Sequence, residues 1–286
     1  MENQKKNITN LVLSGGGIKG IAMLGALKAL EKNKMLENIS SISATSVGSL
    51  IGALYIMGYS IDDLYEFLSI IDISKMKSLK AGNLLCQFGL DDGKKIIIVI
   101  EKMLVAKNFS PDITLLEFYK KTNVVLHITG SCVNDKKLYY FSHVTYPNMQ
   151  LKLAIRISTS VPLWFIPVEY EGKLFVDGAC MENYPIKIFD ADLDKTIGIH
   201  LSSDKPYVNE IDNLELFLIN LIHCFEEGLK IKAICGYEKN TIQINTSNIQ
   251  TFNLDISNDQ KQEIFNIGHQ IAIDYLNKLQ VINNNI

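Results

Sequence analysis

Leu11-Val12-Leu13-Ser14-Gly15-Gly16-Gly17-Ile18-Lys19-Gly20 is the stretch on which the fold turns. Its apolar start makes a short strand and its glycines a tight turn. Ile21 to Lys32, rich in Ala and Leu with its charges gathered near the end, then has helical spacing. The unit recurs at once: Ile39 to Ala44 reads as a second strand, Thr45 and Ser46 as its turn, and Val47 to Met57 as a buried helix rich in small residues. Strands alternating with helices predict an α/β fold with a mainly parallel central sheet flanked by helices, because parallel neighbours need a crossover and helices supply it.

The glycine run fits G-x-G-x-x-G, a spacing shared by dinucleotide folds and many tight turns. Glycine after a strand allows a sharp turn and leaves backbone N–H groups uncovered at the positive end of a helix, where a phosphate or an oxyanion can be held. A Walker loop needs Ser or Thr after the Lys, and Lys19 is followed by Gly20. A dinucleotide site asks for an acidic residue at the end of the second strand, and that strand ends instead in Ala44-Thr45-Ser46. Ala44-Thr45-Ser46-Val47-Gly48 approximates the nucleophile elbow G-x-S-x-G, whose tight bend demands small residues two places before and after the serine. The competing reading is an ordinary helix cap, since Ser is a favoured cap and Val47 begins a helix. Leu174-Phe175-Val176-Asp177-Gly178-Ala179 brings a carboxylate to the end of an apolar strand, as a plain turn residue or as the base a serine hydroxyl needs.

In that order, the glycine run, the Ser46 pentapeptide and Asp177-Gly178-Ala179 resemble the three signature motifs of patatin-like phospholipases. Arg156-Ile157-Ser158-Thr159-Ser160-Val161-Pro162, through Phe165 and Pro167, looks like the loop that precedes the Asp motif in that family, so the match runs from Leu11 to Ile188. The resemblance implies a patatin-like three-layer sandwich and a lipid acyl hydrolase acting on phospholipids or lysophospholipids, with neutral lipids also represented. It makes Ser46 the nucleophile and Asp177 its base, and puts the oxyanion hole in the amides around Gly15, Gly16 and Gly17. Lys19, Gly20, Ala44, Gly48, Gly178 and Ala179 support the motifs. Two departures stand out, Ala44 for the usual Gly of the elbow and Ser14 where some members carry Asp. Neither removes a reacting atom, although Ala44 raises the question of strain at the turn.

Other arrangements remain open at this level. His200, His223 and His269 follow Asp177, which permits a Ser-Asp-His triad in α/β-hydrolase order, with His200 best placed at a strand end. A lipid-binding protein that keeps the fold without turnover is a second reading, and a nucleotide-binding protein resting on the glycine run a third.

The remainder extends the same architecture. Helical spacing marks Ile61 to Ile70 and Gly93 to Ala106; Val124 to Cys132 and Lys137 to Ser142 read as antiparallel strands, and Met149 to Ile157 as a helix. Strands follow near Lys173 to Val176, Thr196 to Leu201 and Thr241 to Ile244, with helices at Leu214 to Ala233 and Asp259 to Leu279. Between them Ile73 to Leu90 mixes Lys, Gly and scattered apolar residues and is read as a mobile cover, suited either to a lipid surface or to a plain surface loop. No repeat or low-complexity linker divides residues 1–286, so a single domain is expected.

Composition sets the outer limits. At 286 residues and 47% hydrophobic content there is ample material for a core, and a formal charge of −3 without a basic block excludes electrostatic capture of nucleic acid. The five cysteines are widely spaced with no C-x-x-C pair, and read as free thiols of a reducing compartment. Neither H-x-H, H-E-x-x-H nor EF-hand spacing occurs, so no metal and no cofactor is expected. The polar start, Met1 to Asn10, lacks a signal-like apolar stretch, and the densest apolar runs, Ile96 to Ile100 and Leu214 to Ile222, fall short of the ~20 residues of a membrane span. A cytoplasmic protein meeting membranes only peripherally is the expectation, with a lipid ester as its substrate. Any need for a protein activator is unwritten in the sequence.

Overall fold

The computed structural model describes residues 7–70, 86–202, 204, 207–247 and 256–284. The opening stretch forms β1 (Asn10–Leu13), a 3₁₀ turn at Gly17–Lys19 and α1 (Gly20–Lys32), followed by β2 (Ser41–Ala44), α2 (Val47–Ile56) and α3 (Ile61–Ile70). Then come β3 (Gly89–Asp91), α4 (Lys94–Ala106), α5 (Leu115–Thr122), β4 (Val125–Cys132), β5 (Lys137–Phe141) and α6 (Leu151–Ser158). The last part holds β6 (Leu163–Phe165), β7 (Val168–Tyr170), β8 (Lys173–Asp177), β9 (Thr196–Ser202), α7 (Leu214–Ala233), β10 (Thr241–Asn245) and α8 (Asn258–Asn284). Most of the cover expected at Ile73 to Leu90 lies outside the described residues, apart from its last part, where β3 begins.

The central sheet runs β10-β9-β1-β2-β4-β8-β7, with β5 also on β4. β10, β9, β1, β2 and β4 are parallel, and β5, β8 and β7 add the antiparallel part. Alternation splits β1 between two cores. Leu11 and Leu13 face the large core shared with α1, α2, α6 and α8, while Val12 points the other way onto Tyr184, Ile186 and Phe189. The second face is thus covered by the 3₁₀ segment Ile186–Lys195 and by Ala233 at the foot of α7. Layers on both faces of a mainly parallel sheet are what the strand-helix alternation predicted.

α1 and α8 cross with backbones nearly touching. A Cβ on Gly25 would overlap the Phe265 carbonyl, and one on Gly268 the Ala22 carbonyl. Gly268→Val is therefore expected to lower Tm by about 2–12 °C, since overpacking costs about 1–3 kcal/mol and each kcal/mol moves Tm by about 2–4 °C in a chain of this size. A thermal melt by circular dichroism checks it.

The register of β4 positions the site. Ile128 pairs with Ala44 on one edge and with Phe141 on the other, while Gly130 pairs with Tyr139 and with Asp177. β5 occupies one edge throughout, so β2 and β8 share the opposite edge. They run toward each other and end tip to tip across Thr129, separated by about two residues of strand rise, or ~7 Å.

Candidate active site

Three chain turns meet where those tips converge. The chain leaves β2 through Thr45, whose Oγ1 lies 2.6 Å from Thr129 Oγ1 and donates to the Glu182 carbonyl at 3.0 Å. Ser46 follows with φ 53° and ψ −127°, a left-handed conformation that a non-glycine residue adopts only under constraint. Two contacts hold it there. The Ser46 N–H donates to Ser158 Oγ at 2.9 Å, and α2 begins at Val47 with Gly48 pressed against the end of β1. Ser46 stands at the N-cap of α2 but its hydroxyl makes no capping bond. It donates instead to Asp177 Oδ2 at 2.7 Å. Ala44 is a buried residue of β2 and is absent from the positive-φ positions, so the strain falls on Ser46 and not on Ala44.

Asp177 closes β8 with 2% of its surface exposed. Its N–H donates to the Ser160 carbonyl at 2.9 Å, and its Oδ1 accepts from the Ala179 N–H at 2.8 Å. Burial pushes its carboxyl up to about 7, outweighing the opposing hydrogen bonds from Ala179 and Ser46, with a smaller push from the charge of Glu226. Gly178 must be glycine, since a Cβ there would overlap Thr129 Oγ1.

The glycine turn lies against the serine, and a Cβ built on Gly15 would come within 3.1 Å of Ser46 Cβ. The Gly15 N–H donates to the Asn183 carbonyl at 3.1 Å, whereas the N–H groups of Gly16 and Gly17 have no protein acceptor among the described residues. Ser14 stands where an Asp is sometimes found. Its hydroxyl accepts from the Leu201 N–H at 2.9 Å and donates to the Gly15 carbonyl at 2.9 Å, which locks the turn to β9. Lys19 is buried at the start of α1, and Gly20 lies against Val47.

The serine opens into a cavity of about 670 Å³ whose wall is largely apolar, with Val47, Ile100, Val161, Trp164 and Phe165 from one side and Ile222 from α7. Lys19, Asp91 and His200 also line it. Burial drops His200 to about 4, so this imidazole is neutral at neutral pH, and its Nδ1 has no partner. No imidazole stands between Ser46 and Asp177, whose bond is direct. His127 packs edge-on to Phe189, and His143 stacks on Tyr119. Reading the sequence alone missed the groups that hold the pair in place: Ser158, the Ser160 carbonyl, Thr129 and Asn183. For the two serines the signal lay in Arg156 to Pro162, a stretch recognised as a block without a part for each residue; Thr129 and Asn183 carry no sequence signal.

Residues 11–190 match the family model described as patatin-like phospholipase. The chain belongs to that family of lipid hydrolases. It is 34% identical to uncharacterized protein R571 of Acanthamoeba polyphaga mimivirus, over 92% of this chain and 92% of that one. It is 30% identical to the probable lipid hydrolase 463L of Invertebrate iridescent virus 6, over 64% of this chain and 63% of the relative. Among solved structures, VipD from Legionella pneumophila superposes with a TM-score of 0.69 at 16% identity, covering 95% of this chain and 67% of that one, a likeness of fold.

Proposed function

We propose that this chain hydrolyses carboxylic ester bonds of phospholipids or lysophospholipids through a Ser46–Asp177 dyad. The observation that carries the reading is the 2.7 Å hydrogen bond from the strained Ser46 hydroxyl to a buried carboxylate, at the mouth of an apolar cavity. Asp177 takes the hydroxyl proton as Ser46 Oγ attacks the ester carbonyl carbon. A carboxylate with an ordinary value of 3.8 is a weak base for an alcohol, and its rise to about 7 brings it into the working range. The N–H groups of Gly16 and Gly17 receive the oxyanion, and Gly15 shapes the turn that presents them. Collapse of the tetrahedral intermediate breaks the bond to the leaving alcohol, which takes its proton from Asp177. Water, deprotonated in turn by Asp177, then cleaves the acyl-enzyme.

The test is mass-spectrometric mapping of a fluorophosphonate adduct together with fatty-acid release from mixed phospholipid vesicles. An adduct on Ser46 with release of fatty acid is expected. Absence of both, with lipid and cell extract supplied, would leave a lipid-binding protein without turnover.

A further inference from the structure

α7 is amphipathic in the inverted sense. Leu214 (69% exposed), Phe217 (51%), Leu221 (40%) and Phe225 (62%) follow one another at helical intervals of three and four residues and form an outward stripe. Cys224 and Gly228 are the other exposed residues among those of α7 whose side chains are described, and neither is charged. Of the described ionic groups on the helix, Glu226, Glu227 and Lys230 line the cavity, and Lys230 is paired with Asp204 at 3.0 Å and with Glu227 at 3.4 Å. A helix that turns its leucines and phenylalanines outward in one stripe is built to be covered by something apolar.

We propose that this face of α7 is a docking surface for an electrically neutral lipid bilayer, laid flat on the interface to feed the Ser46 cavity. The proposal rests on the hydrolase reading for its purpose, but on the helix for its evidence. Phe225 is the link, because it belongs both to the outer stripe and to the cavity wall, with Ile222 and Leu229 beside it in that wall. An acyl chain leaving a bilayer under α7 would thus meet apolar surface all the way to the serine. The stripe from Leu214 to Phe225 runs about 16 Å along the helix, enough to lie in the plane of the headgroup boundary. Tyr207 and Ile211, 88% and 48% exposed, extend the apolar edge before the helix starts. Charge selects the kind of lipid. The exposed residues leading into α7 include the acidic Glu210 and Asp212, and none of the exposed α7 residues whose side chains are described is a lysine, so the described part of this face offers nothing to an anionic headgroup.

The experiment is flotation of the full chain with phosphatidylcholine vesicles, comparing the wild type with Leu214→Gln/Phe217→Gln and with Val144→Gln, an exposed apolar residue remote in sequence. Wild type and Val144→Gln are expected to float, at high salt as well as low, and the double variant to lose about tenfold to hundredfold in partitioning. Its hydrolysis of a short soluble ester should be unchanged, since neither residue lines the cavity. Equal flotation of all three proteins overturns the proposal, as does flotation that requires phosphatidylserine and vanishes with salt. So does a wild-type dimer that the double variant makes monomeric without any vesicle binding, which would assign the stripe to a second copy. If the double variant fails to fold, hydrogen exchange of the wild type with and without vesicles decides: protection confined to Tyr207 to Phe225 supports the surface, and protection elsewhere or none removes it. Flotation by a wild type that hydrolyses nothing would keep the docking surface and sink the hydrolase.

Discussion

Asp177→Asn is expected to abolish most ester hydrolysis, by about 10²–10⁴-fold, while making the protein harder to unfold at alkaline pH. The activity loss follows from removing the only carboxylate bonded to the Ser46 hydroxyl among the described residues. The pH profile gives the sharper check. Since burial raises Asp177 to about 7, wild-type kcat/KM should fall about tenfold per pH unit below that point and level off above it, whereas residual activity of the variant should be flat there. Stability runs the opposite way. Between the ordinary value of 3.8 and about 7 the folded chain holds a proton at Asp177 that the unfolded chain has lost. The folded state is then favoured at low pH, and this contribution disappears as pH rises through 7. Above pH 8 the buried charge costs on the order of a few kcal/mol, so Asn should raise Tm by roughly 5–10 °C at pH 8 and far less at pH 5. A variant no more stable at pH 8 than at pH 5, relative to wild type, would contradict the raised carboxyl.

Gly48→Ala is expected to damage catalysis nearly as much through a single methyl group. A Cβ at residue 48 would stand 2.5 Å from the Ser14 carbonyl oxygen and 2.6 Å from that of Leu13. Both obstacles are backbone at the end of β1, held by the Ser14 N–H bond to Ile199 O and the Thr45 N–H bond to Leu13 O, each 3.1 Å long. They have no rotamer by which to retreat. α2 must therefore lift, carrying Ser46 with it, and a displacement approaching 1 Å at a reacting atom costs about 10²-fold in rate. Overpacking adds about 1–3 kcal/mol of lost stability. kcat on a soluble ester and a denaturant melt, measured on the same preparation, test both; an unchanged kcat would mean that the elbow tolerates the shift.

The parts of this architecture that were legible in the sequence are the ones with local causes. Leu11 to Lys32 and Ile39 to Met57 each pack a strand, a turn and a helix into one short stretch, and glycine or serine punctuates them unambiguously. Most of what escaped had either too few residues or distant partners. β3 and β6 have three residues each and exist because they pair with one another, Gly89 to Leu163 and Asp91 to Phe165. α5 is the exception, since Thr114-Leu115-Leu116-Glu117 carries a local signal, a reciprocal cap that forms as the pattern prescribes. The readings of Ser46, Asp177 and the glycines came from motif order, and the distances among them come from the sheet. Ser158 lies 112 residues from Ser46, a separation at which no local pattern speaks.

The shared edge of β4 also orders events in time. Ser46 and Asp177 lie 131 residues apart and approach only because β8 adds to the stretch of β4 that β2 leaves vacant. A growing chain that has passed Ser158 but not Lys173 contains Ser46 and the Ser158 hydroxyl that holds its N–H, yet lacks Asp177 and the Asn183 and Leu201 groups that hold the glycine turn. On the proposed dyad, reactivity would be withheld until β8 and then β9 have docked, as a consequence of folding order.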